Sequence, residues 1–174
     1  MIQFATGSGT SSNSTITVYD QNGNQVIPSG TFPGLNGATG ITFDPINHDL
    51  HVVNYQGNTI TVYDQDGNEI KTSGTFPQLN QSYGIAFDPA NQYLYVAKPS
   101  INVYDQNGNH ISVSGTFPNL STPGGIAVDP MNGHPYVSNN SSNTITVYDQ
   151  NGNQIPTFGT FPDLSTPDLL TFVP

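Results

Sequence analysis

Three aspartates stand in one recurring context: Asp44 in "GITFDP", Asp88 in "GIAFDP" and Asp129 in "GIAVDP". Carboxylates repeated at even spacing could converge on Ca²⁺, a hard cation that takes about six to eight oxygen ligands. Asp-Pro has a second reading. The Asp side chain accepts backbone N–H groups and starts a turn. The fourth copy of the element, "LLTFVP", carries Val173 where the aspartate belongs. A broken set fits a turn better than a metal cage.

Other chemistry-bearing residues do not assemble into a catalytic pattern. "DQDGNE" at 64–69 resembles a calcium loop, but its glycine, Gly67, comes fourth. An EF-hand loop needs glycine at about position 6 and a glutamate at about position 12. His48, His51, His110 and His134 fall in different elements and none recurs at an equivalent place. Paired-histidine metal motifs and a Gly-x-Ser-x-Gly nucleophile are absent, so no catalytic residues and no resident cofactor are expected. The "GSG" at 7–9 precedes no helix and so cannot cradle a phosphate.

These residues are placed by a repeat. "VYDQNGN" occupies 18–24, returns as "VYDQDGN" at 62–68, and stands again at 103–109 and 147–153. Its tyrosines, Tyr19, Tyr63, Tyr104 and Tyr148, are 44, 41 and 44 residues apart, and "GTFP" follows in the same rhythm from Gly30, Gly74, Gly115 and Gly159. Each unit reads as four strands. The first is of the "GIAFD" type, stopped by Pro45, Pro89 or Pro130, since proline lacks the N–H a ladder needs. The second is "DLHVVN", "YLYVA" or "HPYVS", and the third is "TITVYD", whose period of two marks a pleated strand. The fourth is short, as in "NQVI" or "NEIK". Asn-Gly or Asp-Gly between the third and fourth strands predicts a two-residue type I′ hairpin.

Repeats of about 40–45 residues with several short strands each predict an all-β fold, a β-propeller of four four-stranded antiparallel blades. A single domain is expected over 1–174, with blades at 2–30 plus 168–173, 40–74, 84–115 and 125–159. The chain begins at a second-strand segment, "IQFA", and ends in a first-strand one. The C-terminal strand is therefore expected to complete the first blade, three strands plus one, which removes exposed edges. Four blades are few. A shared ring of two copies, or an open assembly, would use the same strands across chains.

Composition narrows the partners. Two basic residues stand against 12 acidic ones, the net charge is −10, and charged residues are 8% of the chain, where about 25% is usual. Such a surface repels nucleic acid and anionic lipid. No segment is apolar and long enough for membrane insertion. Cysteine is absent, which excludes disulfides and thiolate metal sites. The Asn-, Thr- and Gly-rich, Lys-poor make-up fits an extracellular or cell-surface protein, although "MIQFATGSGT" is not a signal peptide.

"GIAVDPMNGHPYVSNNSSNTITVYDQNGN", residues 125–153, resembles the NHL repeat and the related YVTN-type propeller repeats. The resemblance runs through all four units and implies a propeller. Relatives with this repeat include scaffolds, binding modules and some metal-dependent hydrolases and lyases, so the resemblance leaves function open.

The units differ most between their second and third strands: "TGSGTSSNST", "NYQGNT", "KPS" and "NNSSNT". These loops share a face with the connections between blades, and loops on a rigid scaffold carry function. Tyr55, Tyr83, Lys98, Asn139 and Asn140 are the expected ligand-binding residues there. The leading expectation is a non-enzymatic structural or interaction scaffold, able to self-associate. A glycan- or peptide-binding module comes second, and a Ca²⁺-dependent hydrolase or lyase around Asp44, Asp88 and Asp129 third.

Overall fold

The computed structural model describes residues 3–7, 14–97, 99–157, 159, 161–168 and 170–172. Of the residues singled out above, Lys98 and Val173 lie outside this set. The described chain forms four antiparallel sheets in sequence order. The first holds β1 (Gln3–Gly7), β2 (Thr15–Tyr19) and β3 (Gln25–Val26). The second holds β4 (Ala38–Asp44), β5 (Asp49–Asn54), β6 (Thr59–Tyr63) and β7 (Glu69–Ile70). The third contains β8 (Ile85–Asp88), β9 (Tyr93–Ala97) and β10 (Ile101–Asp105). The fourth contains β11 (Pro123–Val128), β12 (Pro135–Asn139) and β13 (Thr144–Val147).

Among the described residues only the second sheet has all four strands. In the third and fourth, the outer strand shrinks to single bridges, Tyr104 with His110 and Tyr148 with Gln154. In the fourth repeat Pro156 stands two residues past Gln154 and cannot donate to a ladder. The inner strands β4 and β8 do end at Asp44 and Asp88, immediately before the prolines.

The hairpin between the third and fourth strands departs from the type I′ expectation. Gly23, Gly67, Gly108 and Gly152 have φ of 81 to 84°, while the preceding Asn or Asp does not take positive φ. Gly23 N–H donates to the Asp20 carbonyl at 3.1 Å, and Asp20 N–H to the Asn24 carbonyl at 2.9 Å. This is a three-residue loop, a type I turn followed by a left-handed glycine that makes a bulge. The Asp20 carboxylate accepts from Asn22 N–H (2.8 Å), Asn24 N–H (2.9 Å) and the Asn24 carboxamide (3.0 Å). Those bonds favour the charged form and hold Asp20 below the usual carboxylate range, the Asn24 carboxamide contributing most.

The same hairpin is also a receptor. Gly30 N–H donates to Asp66 O (2.6 Å) and Phe32 N–H to Gly67 O (3.0 Å), so the first "GTFP" grips the second hairpin. Gly74 and Phe76 grip Asn107 and Gly108, and Gly115 and Phe117 grip Asn151 and Gly152, in the same way. Each phenylalanine ring lies edge-on to the tyrosine of the hairpin it grips. The centroids are 5.2 Å apart for Phe32–Tyr63, 5.5 Å for Phe76–Tyr104 and 5.1 Å for Phe117–Tyr148. The tyrosine hydroxyl donates to the proline carbonyl of the same "GTFP": Tyr63 to Pro33, Tyr104 to Pro77 and Tyr148 to Pro118. The three tyrosines are fully buried.

Apolar packing follows these joints. One cluster sets Val18 and Phe32 against Leu50, Val52 and Tyr63, between the first and second sheets. A second sets Val53, Ile60 and Phe76 against Phe87, Leu94 and Tyr104. A third sets Tyr95, Val103 and Phe117 against Val137 and Tyr148. The core is thus distributed between blades.

The expected closure of the first blade by the C-terminal strand is not made among the described residues. β1 is an edge strand of its sheet, and Phe172 instead places its ring 5.0 Å from that of Tyr136 on β12. Among the described residues the fourth "GTFP" grips no hairpin, and its Phe161 lies edge-on to Tyr136 at 6.4 Å instead. A Cβ built on Gly159 or on Gly23 meets no atom within 4 Å, whereas one on Gly30 or Gly74 comes within 2.5 Å of the next hairpin.

Two substitutions test this joint by urea unfolding. Phe76→Ala should lower stability by about 3–5 kcal/mol, the usual loss for a buried phenylalanine. Tyr104→Phe should cost about 1–3 kcal/mol, because the Pro77 carbonyl loses its donor.

Candidate functional site

The loop face is built by side chains that reach from one blade to the next. Asn58, in left-handed conformation (φ 50°), accepts Gln81 N–H at 2.7 Å. Asn54 accepts Asn36 N–H at 2.9 Å and donates to Thr61 Oγ1 at 3.2 Å. Tyr55 N–H donates to Gly37 O and Tyr83 N–H to Ala97 O, both at 2.9 Å. Thr39 Oγ1 donates across to Tyr83 O at 3.1 Å. The second blade's loop and the connection into the third are therefore fixed against each other.

This framework brings Tyr55 and Tyr83 together. Their centroids are 4.8 Å apart with planes inclined by 54°. With Asn80, Gln81, Pro99, Thr122 and Pro123 they line a cleft of about 380 Å³. Tyr83 is 46% exposed. Desolvation, with smaller contributions from Tyr55 and the Asp168 carboxylate, pushes the Tyr83 phenol up, so it stays a neutral donor. The cleft offers two aromatic faces, two prolines, two carboxamides and a hydroxyl.

Asn139 and Asn140, also expected here, are elsewhere, and Lys98 lies outside the described residues. Asn139 is buried, not exposed as its loop position suggested. It accepts Ser121 N–H at 2.9 Å and donates to Thr146 Oγ1 at 3.0 Å, the brace that Asn54 supplies one sheet pair earlier. A loop asparagine whose carboxamide replaces missing backbone partners is structural. Asn140 opens a 3-10 turn, Asn140–Ser142, and donates its N–H to Thr122 O at 3.2 Å. It does not line the cleft. Pro99, Asn80 and Gln81 do line it and went unnoticed in the sequence, because nothing local marks them.

The three aspartates each serve their own turn. Asp44 Oδ1 accepts Ile46 N–H at 2.8 Å, Asp88 Oδ1 accepts Ala90 N–H at 2.9 Å, and Asp129 Oδ1 accepts Met131 N–H at 2.9 Å. Among the described residues no group of three or more His, Asp or Glu side chains gathers as metal ligands.

His51 takes the strand position that Tyr95 takes one blade later. Tyr95 O–H reaches Gln150 O at 3.3 Å, and burial pushes its phenol up to about 12. His51 Nε2 lies 3.5 Å from Gln106 O, its ring is edge-on to Phe76, and its Nδ1 is buried without a hydrogen-bond partner. Burial lowers its pKa; the Gln106 carbonyl and the Asp44 carboxylate oppose that only in part. The folded protein keeps this imidazole neutral, while the unfolded chain protonates it below about pH 6.5. Stability should therefore fall as pH drops below that value, with a slope of at most about 1.4 kcal/mol per pH unit. Urea midpoints measured from pH 7 to pH 5 should show this loss, and His51→Tyr should reduce it.

No protein-family model matches the chain, and no curated protein sequence is significantly similar to it. Solved structures do match. A chain of the nidogen/laminin complex superposes with TM-score 0.75 at 18% identity, over 99% of this chain and 65% of that one. A gluconolactonase of Xanthomonas campestris, XC5397, superposes with TM-score 0.62 at 20% identity, over 91% and 58%. Hydrazine synthase of Kuenenia stuttgartiensis superposes with TM-score 0.60 at 25% identity, over 87% and 41%. The chain thus spans less than two thirds of each of these chains. Together with the four consecutive antiparallel sheets, they define a β-propeller fold.

Proposed function

We propose that this chain is a non-enzymatic interaction scaffold, an NHL-like propeller working outside the cell or at its surface, which binds a protein partner across its loop face. The observation that carries the reading is the Tyr55–Tyr83 pair over its cleft. Paired aromatic faces flanked by Pro99 and Pro123 suit an extended peptide segment, whose proline or aliphatic side chains pack on the rings. Tyrosine contributes large contact area with little rotamer entropy to lose. Asn80, Gln81 and Thr122 would pair with the partner's backbone groups. The match to a chain of the nidogen/laminin complex, a protein–protein assembly, supports a protein-binding role.

A glycan is the second reading, favoured by the same carboxamides and hydroxyl around stacked tyrosines. A hydrolase or lyase activity has the gluconolactonase likeness in its favour, and for a Ca²⁺ site the turn bonds of Asp44, Asp88 and Asp129 stand against it.

Screening the protein against extended peptide and glycan libraries tests the assignment. Binding should fall about tenfold or more in Tyr55→Ala and Tyr83→Ala, as for truncated aromatic hot spots. Stability should change little in Tyr83→Ala, given its exposure. Hits confined to glycans would move the reading to its second form, and hits indifferent to both tyrosines would refute the cleft. Added Ca²⁺ is expected to leave Tm unchanged; a rise would mean that a folded-state site binds the ion.

A further inference from the structure

We propose that the fourth "GTFP", Gly159 to Pro162, is a free clasp that takes the Tyr19–Asn24 hairpin of a second copy of this chain, joining copies head to tail. Neither the clasp nor the Tyr19–Asn24 hairpin lines the loop-face cleft, and the proposal does not depend on it.

The joint is already formed three times within the chain, which defines what each half needs. The gripping half supplies a glycine that approaches backbone, a phenylalanine and a proline carbonyl. The receiving half supplies an open glycine, two carbonyls and a tyrosine hydroxyl. In the formed joints Phe32, Phe76 and Phe117 are 6%, 3% and 4% exposed; Phe161 is 38% exposed. A Cβ on Gly67, Gly108 or Gly152 meets a phenylalanine ring at 3.1, 2.9 or 2.8 Å, while one on Gly23 meets nothing within 4 Å. Tyr63, Tyr104 and Tyr148 are fully buried, and Tyr19 is only half-buried. Among the described residues the receiving half is open and the gripping half largely so, its Phe161 ring meeting that of Tyr136 edge-on at 6.4 Å, and each is written in the residues the other recognises.

The inner side of the fourth blade points the same way. A Cβ on Gly40 would meet Tyr83 O at 2.4 Å, and one on Gly84 would meet Gly124 O at 2.5 Å: each inner strand is followed closely by the next. Gly124, one residue before the equivalent glycine Gly125, is met by Asp168, with Oδ1 at 2.7 Å and O at 3.3 Å. Ser138 Oγ donates to Asp168 O at 3.2 Å, and Phe172 packs on Tyr136. Residues following the fourth clasp thus lie where the inner strand of a next blade would start. Docking a second copy would bring its edge strand β1 alongside them, in the way β4 pairs β5. Such a contact is heterologous and can continue from copy to copy.

Light scattering on a sizing column, over a concentration series, tests this with three proteins and one mixture. The wild type should exceed 18.6 kDa and grow with concentration. Phe161→Ala should weaken association about tenfold or more, as expected for an aromatic anchor. Gly23→Asn keeps a residue that tolerates left-handed φ but places a Cβ against the incoming ring, and should do the same. Both should keep the wild-type circular dichroism, and Gly23→Asn should keep the urea midpoint at a concentration where all three proteins are single chains. Phe161→Ala also gives up the edge-on contact of its ring with Tyr136, 6.4 Å between centroids, and the mixture with Gly23→Asn separates association from that local packing. Mixed in equal amounts, the two variants should form a species of about twice 18.6 kDa and no larger, since each retains one intact half. A wild type that stays at chain mass at every concentration overturns the proposal. So do heavier species that neither variant disrupts, or a mixture in which no dimer forms.

Discussion

The arrangement rests on a phenylalanine held in a conformation that bulky residues avoid. Phe32, Phe76 and Phe117 have φ of 46 to 47°, a left-handed region open mainly to Gly and Asn. Strain of about 1–3 kcal/mol is typical there. It is offset because the conformation turns the ring onto the next blade's hairpin glycine and aims the following proline carbonyl at a buried tyrosine hydroxyl. Without this grip, each sheet would expose a flank of apolar side chains. Blade order, the placement of the cores between blades and the level of the loop face all follow from it.

The joint explains how so polar a chain holds together. Its core clusters are modest and each lies between two neighbouring blades, so no blade buries its own apolar face. The one ion pair among the described residues, Lys71 with Glu69 at 4.0 Å, is exposed at both ends and contributes little. Backbone hydrogen bonds, edge-on aromatic contacts and Asn braces do the work that charged networks do elsewhere. A functional surface can then vary above this framework, and the Tyr55–Tyr83 pair sits where two differently sized loops meet.

Much of the architecture was legible because repetition exposes it. The tyrosine spacing marked the blades, period-two segments marked the strands, and Asp-Pro marked where the inner strands stop. The hairpin type was misjudged because Asn-Gly suits both type I′ and a type I turn with a bulge; the Asp side-chain bonds decide between them. The outer strand weakened for a reason visible in the fourth repeat, its proline. Closure was not legible, because a complementary pair of ends reads the same whether it meets itself or another copy. At the site, Tyr55 and Tyr83 stood out as loop aromatics. Asn139 misled because a loop asparagine looks alike whether it faces solvent or braces backbone. Pro99 and Gln81 became visible only when neighbouring blades were set side by side.

The near-identity of the four hairpins has a consequence for how the chain reaches this state. A "GTFP" segment has little chemical reason to prefer the next hairpin over the one beyond it, since "VYDQNGN" is the same at three of the four places. The correct partner is chosen by tether length: the adjacent hairpin is the one with the highest effective concentration. Folding fidelity therefore rests on loop-closure entropy and not on the chemistry of the contact. Skipped-blade pairings are the errors this chain is prone to, and lengthening a connection between blades would raise their frequency even if every contact in the native joint were left intact.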